Sequence, residues 1–367
     1  MHWYEIKNIE QIDSPSLVVY ADRVKENINA LIKMVDGRVD QLRPHVKTNK
    51  IAEVCQLMMD KGIQNYKCAT IAEAEMLGLL KSPDVLIAHQ LMGPKLDRLI
   101  MLIKTFPSTK FSCLIDNITT AQAISTFFTA QGLSINVYMD VNIGMNRSGI
   151  PIEKAIELFK AVALLPNIKI IGLHGYDGHI RETNINQRNV LADEAFENAA
   201  SLRKKMEAFS NQSLALIVAG SCSFSSHIKR KDLQVSPGTF VFWDWGYKNL
   251  FPDLPFEFAA LVVTRIISII DAHTICTDLG HKAVAAENPM PRVHFLNAPQ
   301  SEPNGQSEEH LVVKVADSSL YQVGDVWYGV PVHICPTVAL YDTAHVVEAN
   351  KVAKHWEVIA RRRKITI

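Results

Sequence analysis

Several things are missing from this sequence, and each absence narrows what it can be. No apolar run is long enough to span a bilayer, so no membrane-embedded segment is expected. The start, Met1-His2-Trp3-Tyr4-Glu5, lacks the basic-then-apolar pattern of a secretory leader, which points to a cytoplasmic protein. Lys plus Arg and Asp plus Glu both number 38, so no net charge draws the chain to nucleic acid or an anionic membrane. The one basic run, Arg361-Arg362-Arg363-Lys364, reads as a solvated tail. The six cysteines contain no CxxC pair and lie mostly in apolar runs, as expected of reduced, buried thiols. No internal repeat or low-complexity stretch interrupts the chain.

What is present suits one large domain and a smaller one: 367 residues, 48% of them hydrophobic. After a short lead-in, residues 17–20 read as a strand and 22–35 as a helix. Then a beat sets in. Strand-like runs at 42–47, 66–70, 85–89, 111–116, 135–141, 168–174, 214–219 and 233–240 alternate with helical stretches. That alternation predicts parallel strands joined by crossover helices. Eight such units fit a (β/α)8 TIM-type barrel, with an open doubly wound sheet as the alternative. Near Pro252 the helices stop, and short β-rich runs follow. The expected division is a barrel over 14–250 and a smaller all-β domain over 251–367, with residues 1–13 a candidate to join the latter. Residues 297–305, rich in Pro, Asn and Gly, read as a loop.

Barrels keep their chemistry at the C-terminal ends of strands, and polar clusters recur there. The first strand ends in Lys47. Arg43, His45 and Lys47 alternate, so on a strand they share one face and call for an anion among them. A phosphorylated carbonyl compound would supply that anion and an electrophile for the amine. Gly220-Ser221 and Gly238-Thr239 follow the seventh and eighth strands. Singly each is an ordinary turn; jointly they suit a phosphate, because glycine lets backbone amides approach an anion. Arg147 stands in a glycine-bounded turn. His174, Tyr176 and His179 are candidates for proton transfer. His333 and Cys335, two apart, would share one face of a strand and can ligate zinc, although by spacing alone a buried structural pair is the simpler reading.

The run Arg43-Pro44-His45-Val46-Lys47-Thr48 resembles the cofactor-lysine motif of the D-threonine aldolase and D-serine dehydratase family. That family belongs to the alanine-racemase-like pyridoxal-phosphate enzymes. The resemblance extends from Ser14 to at least Cys335, and it implies a barrel followed by a β-domain. It assigns Lys47 to the cofactor's carbonyl and Arg147, in Gly-Met-x-Arg-x-Gly, to its phenolic oxygen. Gly220, Ser221, Gly238 and Thr239 would take its phosphate. Alanine racemases place an arginine opposite the pyridine nitrogen; here Ser236 occupies that position. Gly-Tyr-x-Gly-His ranks Tyr176 and His179 above His174 for catalysis. Asp278-Leu279-Gly280-His281-Lys282 resembles an element at the rim of the family's site. His333-x-Cys335 resembles the family's metal pair, which implies a divalent ion (zinc favoured, manganese or magnesium allowed) beside the cofactor, holding the substrate's 3-hydroxyl. Cys335, where some relatives carry aspartate, leans toward dehydratase. The implied protein is a homodimeric lyase with shared active sites, acting on small D-3-hydroxy amino acids by retro-aldol cleavage or β-elimination. The rivals are an amino-acid racemase without metal and a non-catalytic pyridoxal-phosphate carrier.

Overall fold

The expected strand–helix alternation is present in a computed structural model, which describes all 367 residues. Seven parallel strands lie side by side in the order Asn65–Cys68, Asp84–Gln90, Lys110–Ile115, Ile135–Asn142, Ile168–Gly175, Ala215–Val218 and Gln234–Val235. Residues 42–46 close the ring. Leu42 bridges Val235 and His45 bridges Lys67, both in parallel. Arg43 N–H donates to Val235 O, and Val46 N–H to Lys67 O. With this segment the barrel has its eighth position, and the two edges of an open doubly wound sheet do not exist.

Local chemistry sets the helix boundaries. Thr70 caps Ile71–Leu79 by accepting from Glu73 N–H, while the Glu73 carboxylate accepts from Ala69 N–H in return. Asn184 caps the long helix Ile185–Ser210, and Asn211 ends it in the left-handed conformation. Inside the barrel, Leu86, Leu114, Tyr138 and Ile217 form an apolar cluster contributed by four strands. Tyr138 and Asp140 are two apart on one strand and share its inner face. The interior is therefore apolar at Tyr138 and becomes polar one layer nearer the strands' C-terminal ends.

By its contacts the chain divides into two units. The barrel unit comprises Leu31–Lys47, Cys55–Gly238 and Arg362–Ile367; the β-rich unit comprises Met1–Ala30, Thr48–Val54 and Thr239–Arg361. The β-rich sheet is centred on Ala260–Asp271, which pairs antiparallel with Ser16–Tyr20, Thr274–Thr277 and Val326–Pro331. Val262 and Ile266 face one core, with Phe295, Leu311 and Trp327. Leu261 and Val263 face another, with Tyr4, Ile6 and Val18. A sheet buried on both faces needs near-continuous apolar strands, and these are what the sequence carries.

The structure departs from expectation at four places. Ser16–Tyr20 is the expected strand, but it lies inside the β-rich sheet although the expected division counted it in the barrel over 14–250, because its Leu17, Val18 and Val19 are buried between Ala260–Asp271 and Thr343–Glu348. The loop expected at 297–305 contains the strand Glu302–Gln306. It lies at the sheet edge with a register shift between Pro303 and Gly305, where a proline costs no ladder bond. Lys351–Glu357 forms an unanticipated hairpin with Thr343–Glu348 through Ala349 and Asn350, both at positive φ. The expected strand 233–240 keeps only Gln234–Val235 and then turns into a short 3-10 helix, Thr239–Val241.

Candidate active site

Lys47 follows the bridging segment directly, and its side chain is exposed at the strand's C-terminal end. Its backbone N–H donates to His45 Nδ1 at 3.3 Å. Arg43 does not share that environment. It is buried, 2.5 Å from Asp84 Oδ1, and it donates to Gln234 Oε1 and Tyr66 O. The anion that three alternating cations called for is, for Arg43, a carboxylate of the protein itself.

Above the apolar cluster lies a buried polar network. Lys67 Nζ is 3.4 Å from His174 Nε2, and His174 Nδ1 is 2.7 Å from Asp140 Oδ1. Asp140 Oδ2 accepts from Gln90 Nε2 and Ser148 Oγ, both at 2.9 Å. Burial pushes the Lys67 amine down to about 7, helped by the charges of Lys47 and Arg43 and opposed by Asp140 and Asp177. Burial also lowers His174, with the Lys67 charge, against the raising effect of Asp140. Burial alone would raise Asp140; hydrogen bonds from His174, Ser148 and Gln90 outweigh it and hold the carboxyl below its ordinary range. The stable arrangement is a neutral His174 donating Nδ1–H to an ionised Asp140.

The loop after Ile135–Asn142 carries Arg147. Gly149, at φ +98°, lets the chain pass close to its own strand: a Cβ there would lie 2.7 Å from Asn142 N. The Arg147 guanidinium sits 4.9 Å from the Tyr176 ring centroid, and Lys67 Nζ sits 5.9 Å from the same centroid. Tyr176 also packs on Gly220, where a Cβ would lie 2.7 Å from its Cε2. Gly238 N–H donates to Ser221 Oγ at 3.1 Å, which joins the loops after the seventh and eighth strands. Ser223 Oγ donates to Asp177 Oδ1 at 2.6 Å and ties in the loop after the sixth. Ser236 is buried, and its Oγ has no hydrogen-bond partner in the protein. An orphaned hydroxyl at the position that the resemblance sets opposite a pyridine nitrogen is what a pyridoxal phosphate would satisfy. The residues present fit that cofactor.

In the β-rich unit, His333 and Cys335 come together, but not on a strand. The strand Val326–Pro331 ends first. His333 N-caps the short helix Ile334–Val338, and Cys335 lies in its first turn. His333 Nδ1 is 2.5 Å from Glu287 Oε1. Burial lowers this imidazole, but the hydrogen bond and charge of Cys335, the Glu287 carboxylate and the Asp244 charge outweigh it and raise it to about 9. Cys335 Sγ is 3.2 Å from Thr48 Oγ1 and 3.7 Å from Thr239 Oγ1. Asp244 accepts from Ile334 N–H and Tyr247 N–H, and burial raises its carboxyl to about 6 against those bonds. No group of three or more His, Cys, Asp or Glu suited to a metal occurs. The pair would thus supply two protein ligands, one fewer than a catalytic zinc ordinarily takes.

Thus Arg147, Tyr176 and Gly220 meet, Ser221 meets Gly238, and Thr239, His333 and Cys335 meet. His179 goes elsewhere. Its exposed ring packs on Gly144 and lines a cavity of about 200 Å³ with Leu191 and Glu194. His174, ranked lower from sequence, occupies the network instead. Lys67, Glu287 and Thr48 were missed. A lysine inside the apolar run Tyr66-Lys67-Cys68-Ala69 was the one available signal. Asp278 holds Ser14, Thr264 and Arg265, a structural role. A cavity of about 920 Å³ opens at the opposite strand ends, among Asp40, Ala215 and Gln234; its mixed charges and lack of catalytic groups set it apart from this chemistry.

Comparison with known proteins finds two families and several relatives that span the chain. The family described as alanine racemase, N-terminal domain, matches residues 19–244, and the putative serine dehydratase domain matches 259–347. A D-threonine aldolase from Arthrobacter sp. is 25% identical, over 96% of this chain and 94% of its own. A D-threo-3-hydroxyaspartate dehydratase from Delftia sp. (strain HT23) is 23% identical, over 94% of this chain and 97% of its own. The crystal structure of D-threonine aldolase from Filomicrobium marinum superposes with a TM-score of 0.86 at 26% identity, covering 95% of each chain.

Proposed function

The chain belongs to the alanine racemase N-terminal-domain family of fold-type III pyridoxal-phosphate enzymes and is a lyase of that family; we propose that it acts on D-configured 3-hydroxy amino acids with the help of a divalent metal. The observation that carries the reading is one chain holding both a barrel-end lysine with an orphaned Ser236 hydroxyl and a paired imidazole and thiol at His333 and Cys335. Pyridoxal phosphate would supply an electrophilic carbonyl and an electron sink, and the metal, zinc by preference, a Lewis acid.

The protein's residues would divide the remaining work. Lys47 would hold the cofactor at its carbonyl, and its amine, once freed by the substrate's, would be the base for the α-proton in β-elimination. Arg147, which lies over the Tyr176 ring, would neutralise the phenolic oxygen. Gly220, Ser221, Gly238 and Thr239 would take the phosphate, for which the Gly238 N–H would have to leave Ser221 Oγ. Ser236 Oγ would serve the pyridine nitrogen without bringing charge. Glu287, on His333 Nδ1, would orient the imidazole for the ion. Tyr176 and His179 are the proposed partners of the 3-hydroxyl proton in retro-aldol cleavage; His179 must leave Gly144 to serve. No helix is long and apolar enough to cross a membrane. A homodimer is proposed from family membership, to be read by light scattering.

Purified protein, pyridoxal phosphate and D-threonine, with and without EDTA, test the reading. Glycine and acetaldehyde, lost on chelation, would identify the aldolase. 2-Oxobutanoate and ammonia, lost on chelation, would identify the dehydratase. L-threonine or L-allo-threonine formed regardless of EDTA would overturn the reading in favour of a racemase.

A further inference from the structure

Lys67 is enclosed in the barrel strand Asn65–Cys68, where a lysine is retained only if its charge is compensated. Two arms run from it to the same residue. The first passes through His174 Nε2 at 3.4 Å, Asp140 Oδ1 at 2.7 Å from His174 Nδ1, and Ser148 Oγ at 2.9 Å from Asp140 Oδ2. Ser148 follows Arg147 in the chain. The second arm is the Tyr176 ring, which Lys67 and Arg147 both approach. We propose that Lys67 is a positioning residue for the cofactor, holding Arg147 and Tyr176 in place through His174, Asp140 and Ser148. This rests on the pyridoxal-phosphate reading above.

As an ammonium, Lys67 donates to His174 Nε2, so His174 Nδ1–H is directed at Asp140, and the two charges balance. When Lys67 loses its proton, the hydrogen bonds can persist, but Asp140 is left uncompensated beneath Arg147. An anionic ligand then meets a less positive site. The groups that set this titration are Arg43 and Lys47 from the bridging segment, which oppose the ammonium. Asp140 and Asp177, from the strand Ile135–Asn142 and the loop after Ile168–Gly175, favour it. Burial and the Lys67 charge favour the neutral form of His174.

The probe is pyridoxine 5′-phosphate, an alcohol that cannot bond Lys47 covalently. Its affinity is measured by calorimetry from pH 6 to 8.5 for the wild type and Lys67→Met, with pyridoxal-phosphate absorbance recorded in parallel. The ratio of wild-type to variant affinity should fall about tenfold as pH rises, the effect of one unit charge through protein-like screening. Asp140→Asn removes a compensating carboxylate and should move that fall to lower pH, which gives a second reading should Lys67→Met fold poorly. Parallel pH profiles in wild type and both variants would overturn the inference while leaving the cofactor reading intact. Absence of binding of both pyridoxal phosphate and its alcohol by the wild type would overturn both.

Discussion

Replacing Lys67 with methionine keeps the length and packing of the side chain and removes its charge. The ordinary amine at 10.5 falls to about 7 in the folded protein, chiefly through burial. At about 1.36 kcal/mol per pH unit, that drop costs the folded state about 5 kcal/mol when the amine is protonated in both states. The sign follows from proton counting. Between pH 7 and 10.5 the unfolded chain binds the proton that the folded chain has lost, so stability rises with pH across that window. Below pH 7 the cost is constant and complete. Lys67→Met never bears it. Over pH 6 to 8.5 the stability of the variant relative to wild type should therefore shrink by about 2 kcal/mol. Urea unfolding of both proteins at matched pH, followed by far-UV circular dichroism, measures the difference. Lost contacts add the same offset at every pH and leave this pH-dependent change intact. Curves that stay parallel across the window would refute the reasoning, because a lysine that titrates normally in the fold cannot be buried against His174 as described.

Three further outcomes are expected. Lys47→Ala should lower turnover of D-threonine by at least about a hundredfold, and borohydride reduction of the wild type should mark the Lys47 peptide; labelling elsewhere would move the cofactor. Glu287→Gln should weaken divalent-metal binding about ten- to a hundredfold by calorimetry, because the carboxylate orients the His333 imidazole; unchanged affinity would leave Glu287 a surface ion pair. Gly149→Ala, at φ +98° with its Cβ against Asn142 N, should cost about 1–3 kcal/mol in urea unfolding and weaken pyridoxine 5′-phosphate binding by displacing Arg147.

The sequence by itself determined the order of the fold. A strand–helix beat with eight strands can satisfy its backbone groups in few ways, and Val-, Ile- and Leu-rich runs with Asn and Thr caps mark the elements locally. Lys47, Arg147 and the glycine turns could be nominated from sequence for the same reason: the motifs that single them out lie in their neighbours along the chain. Tertiary structure alone decided what depends on distant segments. Lys67 and His174 are 107 residues apart, and only barrel closure through residues 42–46 brings both inside. The proline and glycine of Glu302–Gln306 read as a loop because nothing local says that the segment will be an edge strand. Ser16–Tyr20 reads as the strand that it is, but its partners lie more than 200 residues away, so its sheet could not be read. Spacing put His333 and Cys335 on one strand face. The structure ends that strand at Pro331 and brings the pair together on a helix turn, because Asp244 accepts from Ile334 N–H at the helix start. Periodicity reports what a segment prefers, whereas a site is made by the side chains that the closed fold leaves to satisfy one another.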